Sequence, residues 1–334
     1  MVRFPRRQFL ALAAGAAALP ALSRIASAQS YPSRLVTVIV PSGAGAPTDV
    51  TARIVIEHMR GTLGQVLVIE NVPVANGTLG IGRVARAKPD GYTIAFSVSS
   101  STHVFNAAIY ALPYDVVNDF EPIGLVTKDS GQLIVARKSM PANDLKEFIA
   151  WMRANPGKVT LGHTGPGSPA HVAGIVFQKL TGTRLQDVAY RTAAQAMQDV
   201  VAGHIDMMMT SPSIGLAPVQ AGSIKAYAVG AANRLVAAPD IPTVDEAGLP
   251  GFYTGGWFAL WAPKGTPRDS IGKLNAALVD ALADVAVRAR LADLGLEIFP
   301  REQQTPEALA ALQKAEIEKW WPVIKEAGIK MKAE

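Results

Sequence analysis

The chain has 334 residues, with 32 lysines and arginines against 27 acids, and no cysteine. Without cysteine, neither a disulfide framework nor a thiolate zinc site can form. Arg3, Arg6, Arg7 and Arg24 fall in residues 1–28, which hold no acid; the rest is nearly neutral, 28 bases to 27 acids, and carries no basic footprint for nucleic acid.

Residues 1–28 read as an export signal. Three of those arginines precede an apolar run from Phe9 to Leu22, and Ala26-Ser27-Ala28 supplies a small-residue cleavage site. Gly15 and Pro20 interrupt the run, which is short for a bilayer span; a retained membrane anchor is the alternative. Arg6-Arg7-Gln8-Phe9-Leu10 resembles a twin-arginine signal, with Pro5 where Ser or Thr usually stands, so the export route stays open. Cleavage after Ala28 would start the mature chain at Gln29 and place it in a bacterial periplasm.

Beyond the signal, residues 35–40 form a β-branched run that stops at Pro41 and predicts a buried strand. A Gly/Pro loop leads into a helix over 50–62, with Ile54, Met59 and Leu63 near one face. Further strands are predicted at 66–69, 92–98, 133–135, 159–161, 187–189, 205–209 and 226–229. Helices near 143–154, 170–181 and 192–202 fall between them. This βαβ rhythm predicts an α/β fold of parallel sheets with helices on both faces. Thr266 caps, and Pro267 opens, a helix carrying Ile271, Leu274, Leu278, Leu282 and Val285 to about 294. Thr305-Pro306-Glu307 opens another in the same way, and its Trp320 and Trp321 read as packing anchors.

This length suggests two lobes. Crossing segments at 122–137 and 249–263 would give a discontinuous first lobe, 31–127 plus 254–334, and a second lobe, 128–253.

Two loops could carry chemistry. Pro41-Ser42-Gly43-Ala44-Gly45-Ala46-Pro47-Thr48-Asp49 joins a strand to a helix, so small residues and helix N–H groups can meet an anion. It is neither a Walker loop nor G-x-G-x-x-G, and Asp49 or Thr48 is expected to cap the helix. Thr164-Gly165-Pro166-Gly167-Ser168 repeats the same physics in the middle of the chain. Enzyme signatures are weak. Ser168 and His171 lack a G-x-S-x-G elbow, and the five histidines (His58, His103, His163, His171, His204) show no metal-ligand spacing. Asp199 and Asp206 are not a paired-carboxylate signature.

Read together, these segments resemble the periplasmic substrate-binding components of tripartite tricarboxylate transporters, the Bug receptors. The likeness runs from Tyr31-Pro32-Ser33-Arg34 through Val40-Pro41, Thr48-Asp49, Glu70-Asn71 and Ala87-Lys88-Pro89-Asp90-Gly91-Tyr92-Thr93. It continues through Leu112-Pro113-Tyr114-Asp115, Asn155-Pro156-Gly157-Lys158, the 164–168 loop with His171, and Gly203-His204-Ile205-Asp206. It closes with Ile241-Pro242-Thr243-Val244, Glu246-Ala247-Gly248-Leu249-Pro250-Gly251 and Gly265-Thr266-Pro267.

The resemblance implies a two-lobed periplasmic-binding-protein fold of the Venus-flytrap type II kind, closing on a small organic acid. By position, the first-lobe contacts would be Ser42, Gly43, Ala44, Gly45, Ala46 and Thr48, with Ser99, Ser100 and Thr102. The second lobe would add Thr164, Gly165, Gly167, Ser168, Tyr190, Thr192 and Thr210. It implies no cofactor and no metal, a monomer, and membrane transporter subunits as partners. An Asp-Asn pair common in the family is replaced by Thr210-Ser211, which argues against an amino-acid ligand. The first loop and the Val72-Pro73-Val74-Ala75-Asn76-Gly77 segment also depart from the family pattern. Alternative functions are a ligand-sensing receptor for a membrane sensor kinase and a secreted enzyme.

Overall fold

The structure, a computed structural model, describes residues 31–129 and 131–326; the expected export signal and cleavage site lie outside the described residues. β1 (Val36–Val40), β2 (Leu67–Asn71) and β3 (Thr93–Val98) run parallel, joined by α1 (Pro47–Leu63) and α2 (Thr78–Ala85). After β3 the chain makes a π-helical turn over Ser101–Phe105 and a short α3 (Asn106–Ile109), then enters β4 (Phe120–Asp129). It then builds β5 (Leu133–Arg137), α4 (Leu145–Ala154), β6 (Val159–His163), α5 (Pro169–Thr181) and β7 (Leu185–Ala189). Next come α6 (Ala193–Ala202), β8 (Met207–Thr210), α7 (Pro212–Gln220) and β9 (Ile224–Val229). The return runs through β10 (Trp257–Pro263), α8 (Arg268–Ala283), α9 (Val285–Asp293), β11 (Leu296–Ile298) and α10 (Pro306–Glu326).

Two sheets result, in the orders β11-β4-β10-β3-β1-β2 and β7-β6-β8-β5-β9. They are mixed, not parallel as the βαβ rhythm predicts. β10 lies antiparallel between β3 and β4, and β5 lies antiparallel between β8 and β9. Each is the strand that arrives from the other sheet. The strands of the βαβ units end at the edge where the sheets meet; a strand arriving from across that edge must begin there and run the other way.

Both faces of each sheet are covered. Val36, Val38 and Phe96 pack with Ile54, Leu278 and Leu291 on one face of the first sheet. Ile39, Ala95 and Trp261 pack with Ile81, Leu309 and Ile324 on the other. In the second sheet, Ile134 and Met209 join Phe148 and Phe177, while Val135 and Met208 join Met197 and Val200. Trp320 is buried in the core, and Trp321 donates its indole N–H to the Val104 carbonyl at 2.9 Å.

The single helix expected after Pro267 is two. Asp284, in extended backbone, accepts the Val287 amide and caps α9, ending α8 one residue earlier. Thr266 does not cap α8; its hydroxyl donates to the Pro263 carbonyl at 2.7 Å, and Pro267 takes the cap position. Thr305 behaves as expected, accepting the Ala308 amide at 3.1 Å at the start of α10.

Candidate functional site

Parallel strands followed by helices leave their loops at the carboxyl edge of the sheet, where open α/β sheets present ligand sites. In the first sheet that edge carries the β1–α1 loop and the end of β3; in the second, the ends of β6, β7 and β8. The two edges face each other. The Tyr110 hydroxyl donates to the Pro166 carbonyl at 2.7 Å, and Ser101 Oγ lies 3.4 Å from the Gly167 carbonyl. Val172 of α5 shares an apolar cluster with Phe105 and Ile109.

The β1–α1 loop is held from below. Neither Thr48 nor Asp49 caps α1, as the sequence led us to expect; Ala46 occupies the cap without a side-chain bond, and Pro47 opens the helix. Asp49 sits a turn later and reaches back. Its Oδ2 accepts the Gly45 amide at 2.8 Å and Arg53 Nε at 2.9 Å, and its Oδ1 accepts Asn71 Nδ2 at 2.9 Å. Burial would push this carboxyl up, but the Arg53, Gly45 and Asn71 bonds hold it below its ordinary value. Above this support the loop is open: no atom lies within 4 Å of where a side chain on Gly43 or Gly45 would begin. Ser42 Oγ is buried without a partner, Ala44 is exposed, and Thr48 is buried in the first turn of α1.

The hydroxyls after β3 divide into two kinds. Ser99 Oγ accepts the Trp261 indole N–H at 2.9 Å, and Thr102 Oγ1 lies within 3.1 Å of Ser97 Oγ and the Val98 carbonyl. These two are engaged inside the first lobe. Ser100 Oγ is buried with no partner and faces a narrow crevice between the lobes, shared with Pro169, Val172, Thr254 and Gly256.

Across the cleft, Ser168 caps α5: its Oγ accepts the His171 amide at 3.4 Å, which leaves the hydroxyl proton free to donate. Thr164 is half-buried, and no atom lies within 4 Å of the side-chain position of Gly165. The Gly165 and Gly167 amides are already taken, by His163 Nδ1 at 3.0 Å and His171 Nδ1 at 3.2 Å. Gly167 has φ +78°, and a Cβ there would come within 3.1 Å of Ile109 Cδ1 and 3.2 Å of Asn106 Oδ1. The Tyr190 hydroxyl donates to Asp199 at 2.7 Å, and exposed Thr192 caps α6 by accepting the Gln195 amide at 3.2 Å. Thr210 Oγ1, at the end of β8, is buried without a partner.

Three predicted residues from both lobes therefore present unspent hydroxyls: Ser42, Ser100 and Thr210. An unpartnered buried hydroxyl is costly in a folded protein; Tyr114 and Thr127 in the first lobe have one too, so it is the place of Ser42, Ser100 and Thr210 at the facing edges that makes them candidate ligand contacts. Ser168 and His171 do not pair through their side chains. Ser168 meets the backbone of His171, whose ring nitrogen is turned to Gly167.

Sequence reasoning passed over Asn76 and Tyr110, which together with Ser101 of the predicted Ser99–Thr102 turn make hydrogen bonds between the lobes; no local pattern marks them. It also missed the convergence of His163, His171 and Asp187, whose polar atoms lie within 4.8 Å of one another.

The profile described as "Tripartite tricarboxylate transporter family receptor" matches residues 51–329. A protein from the TAR-I ttuE-ttuC' intergenic region of Agrobacterium vitis is 39% identical over 324 residues, covering 96% of this chain and 92% of that protein. The structure of the periplasmic binding protein BugD superposes with a TM-score of 0.81 at 38% identity, covering 90% of this chain and all of that one. MatC from Rhodopseudomonas palustris, solved with bound malate, also superposes at 0.81 and 38% identity, covering 88% of this chain and 100% of its own. The chain belongs to the tripartite tricarboxylate transporter receptor family.

Proposed function

We propose that this chain is an exported periplasmic receptor that captures a small organic acid as its carboxylate between two lobes, 31–127 with 254–334 and 128–253. It delivers that acid to the membrane subunits of a tripartite tricarboxylate-type transporter, as a monomer and without a cofactor. The observation that carries this reading is the set of unpartnered buried hydroxyls, Ser42 Oγ, Ser100 Oγ and Thr210 Oγ1, at the facing carboxyl edges of two sheets. Such hydroxyls suit a carboxylate, and the backbone at Gly43, Gly45 and Gly165 leaves room for its approach, although the Gly45 and Gly165 amides are already engaged. The malate held by MatC supports a short carboxylic acid as the ligand class. Thr210 and Ser211 stand at the end of β8 without an acid, which favours an organic acid over an amino acid.

A thermal-shift panel tests this reading. Malate, adipate and other short mono- and dicarboxylic acids are each paired with their neutral amides. At 100 times its dissociation constant a true ligand stabilises by about 2.7 kcal/mol. The expected result is stabilisation by at least one acid and by none of the amides. Equal stabilisation by an acid and its amide would contradict carboxylate recognition.

A further inference from the structure

His163 and His171 stand behind the loop that joins the lobes. They are 3% and 9% exposed, their ring centroids are 4.7 Å apart, and each uses Nδ1 to accept a loop amide, Gly165 or Gly167. A ring nitrogen that accepts an N–H carries no proton, so in both neutral rings the proton resides on Nε2. His163 Nε2 lies 3.7 Å from Asp187 Oδ1.

This tautomer argues against a metal at the histidine pair and Asp187. A metal would need the Nε2 lone pairs, and ligating histidines donate their other N–H, whereas these accept. The arrangement does something else. Between the two held amides lies Pro166, whose carbonyl accepts Tyr110 OH and, at 3.5 Å, Asn76 Nδ2 of the first lobe. Ser101 reaches the adjacent Gly167 carbonyl.

We propose that His163 and His171 are positioning residues: their unprotonated Nδ1 atoms hold the 164–168 loop in reach of the first lobe, and proton uptake by either ring releases it. Protonation sets an N–H against the Gly165 or Gly167 N–H, two donors with no acceptor between them, so the loop has to move. That movement takes Pro166 and Gly167 from Tyr110, Asn76 and Ser101, and acid thereby opens the receptor. The release of ligand that follows rests on the carboxylate reading above.

The charged groups facing the pair are the two rings and Asp187 on β7. Burial holds His163 below the ordinary 6.5, against an upward pull from Asp187 and from the Gly165 backbone; burial and then His163 hold His171 down, again against Asp187. From the first-lobe wall, Tyr110 is the titratable group at the loop, and burial raises it away from this range. A ring with a lowered value in the closed form disfavours that form once pH falls below the value of the freed ring. Closure is therefore complete above about 6.5 and weakens below it.

Nitrogen NMR of the histidine rings and amide exchange at Gly165 and Gly167 test this without ligand. Both rings should show the Nε2–H tautomer at pH 8. Protection of the two amides, corrected for intrinsic exchange, should fall about tenfold between pH 8 and pH 5.5, the loss of one hydrogen bond. In His163→Asn/His171→Asn, Asn Oδ1 takes the place of Nδ1 as an acceptor that does not titrate, and protection should hold at both pH values. An Nδ1–H tautomer at pH 8, or an equal acid loss in the variant, would overturn the proposal. Malate titrated into wild type at pH 8 addresses the carboxylate reading separately. Its failure to bind would count against malate as ligand, while tautomer and exchange would still decide the loop.

Discussion

The Asn71 carboxamide donates to Asp49 Oδ1 at 2.9 Å and to the Ser42 carbonyl at 3.0 Å, tying the end of β2 to the loop after β1. Asn71→Ala leaves a buried carboxylate one bond short and the loop untethered. The expected loss of stability is about 1–3 kcal/mol, with acid binding weakened about tenfold. Urea unfolding and calorimetric titration check both; unchanged values would remove Asn71 from the support of the loop.

The unpartnered hydroxyls should behave oppositely in the free and bound protein. Ser42→Ala, Ser100→Ala and Thr210→Val each remove a buried group that has no partner, so the free protein should melt at the same temperature or slightly higher. If each meets a carboxylate, binding should weaken by roughly 1.5–3 kcal/mol, about 10- to 150-fold. Lower melting with intact binding would mean that these hydroxyls serve the fold instead.

Gly167 and Ser168 are adjacent and should fail differently. Alanine at Gly167 is strained at φ +78°, by about 1–2 kcal/mol, and its Cβ presses on Ile109 and Asn106 across the cleft. Gly167→Ala should fold but close incompletely, giving a larger radius of gyration than wild type at saturating ligand. Ser168→Ala should lose about 1 kcal/mol of stability as the α5 cap is removed. Small-angle scattering and melting curves separate the two.

Asp129 gives a pH dependence. Burial raises its carboxyl to about 7, with a bond from the Gly256 backbone opposing. Between 3.8 and about 7 the folded protein keeps a proton that the unfolded chain has released. Stability therefore falls as pH rises through that window. Asp129→Asn should flatten this slope and stabilise the protein by roughly 1–3 kcal/mol at pH 8. Melting temperatures at pH 5 and pH 8 decide it, and an unchanged slope would clear Asp129.

Much of this was legible in advance where a physical signal is local. β1 stops where Pro41 removes a donor, and the glycine-rich loops lie at strand ends, as their composition predicts. β4 and β10 were hidden inside the segments read as crossings. Pro122 and Gly124 interrupt the first, and the second, Trp257–Pro263, is buried throughout and shows no alternation. The break at Asp284 was lost in a continuous helical spacing. The histidine pair with Asp187 depends on β6 and β7 pairing side by side, Leu161 against Asp187, which no spacing along the chain encodes. Nor can a sequence tell a spent hydroxyl from an unspent one. Ser99 and Ser100 are neighbours of the same type, and only the fold, which brings the Trp261 indole and Ser97 to Ser99, distinguishes them.

A crystal structure with the acid that stabilises the protein most tests the central claim most directly. The carboxylate should lie within hydrogen-bond distance, about 2.5–3.2 Å, of hydroxyls from both lobes, Ser42 or Ser100 on one side and Thr164, Ser168 or Thr210 on the other. Density for the acid against a single lobe, or in the surface groove between α1 and α9 lined by His58 and Arg290, would contradict it.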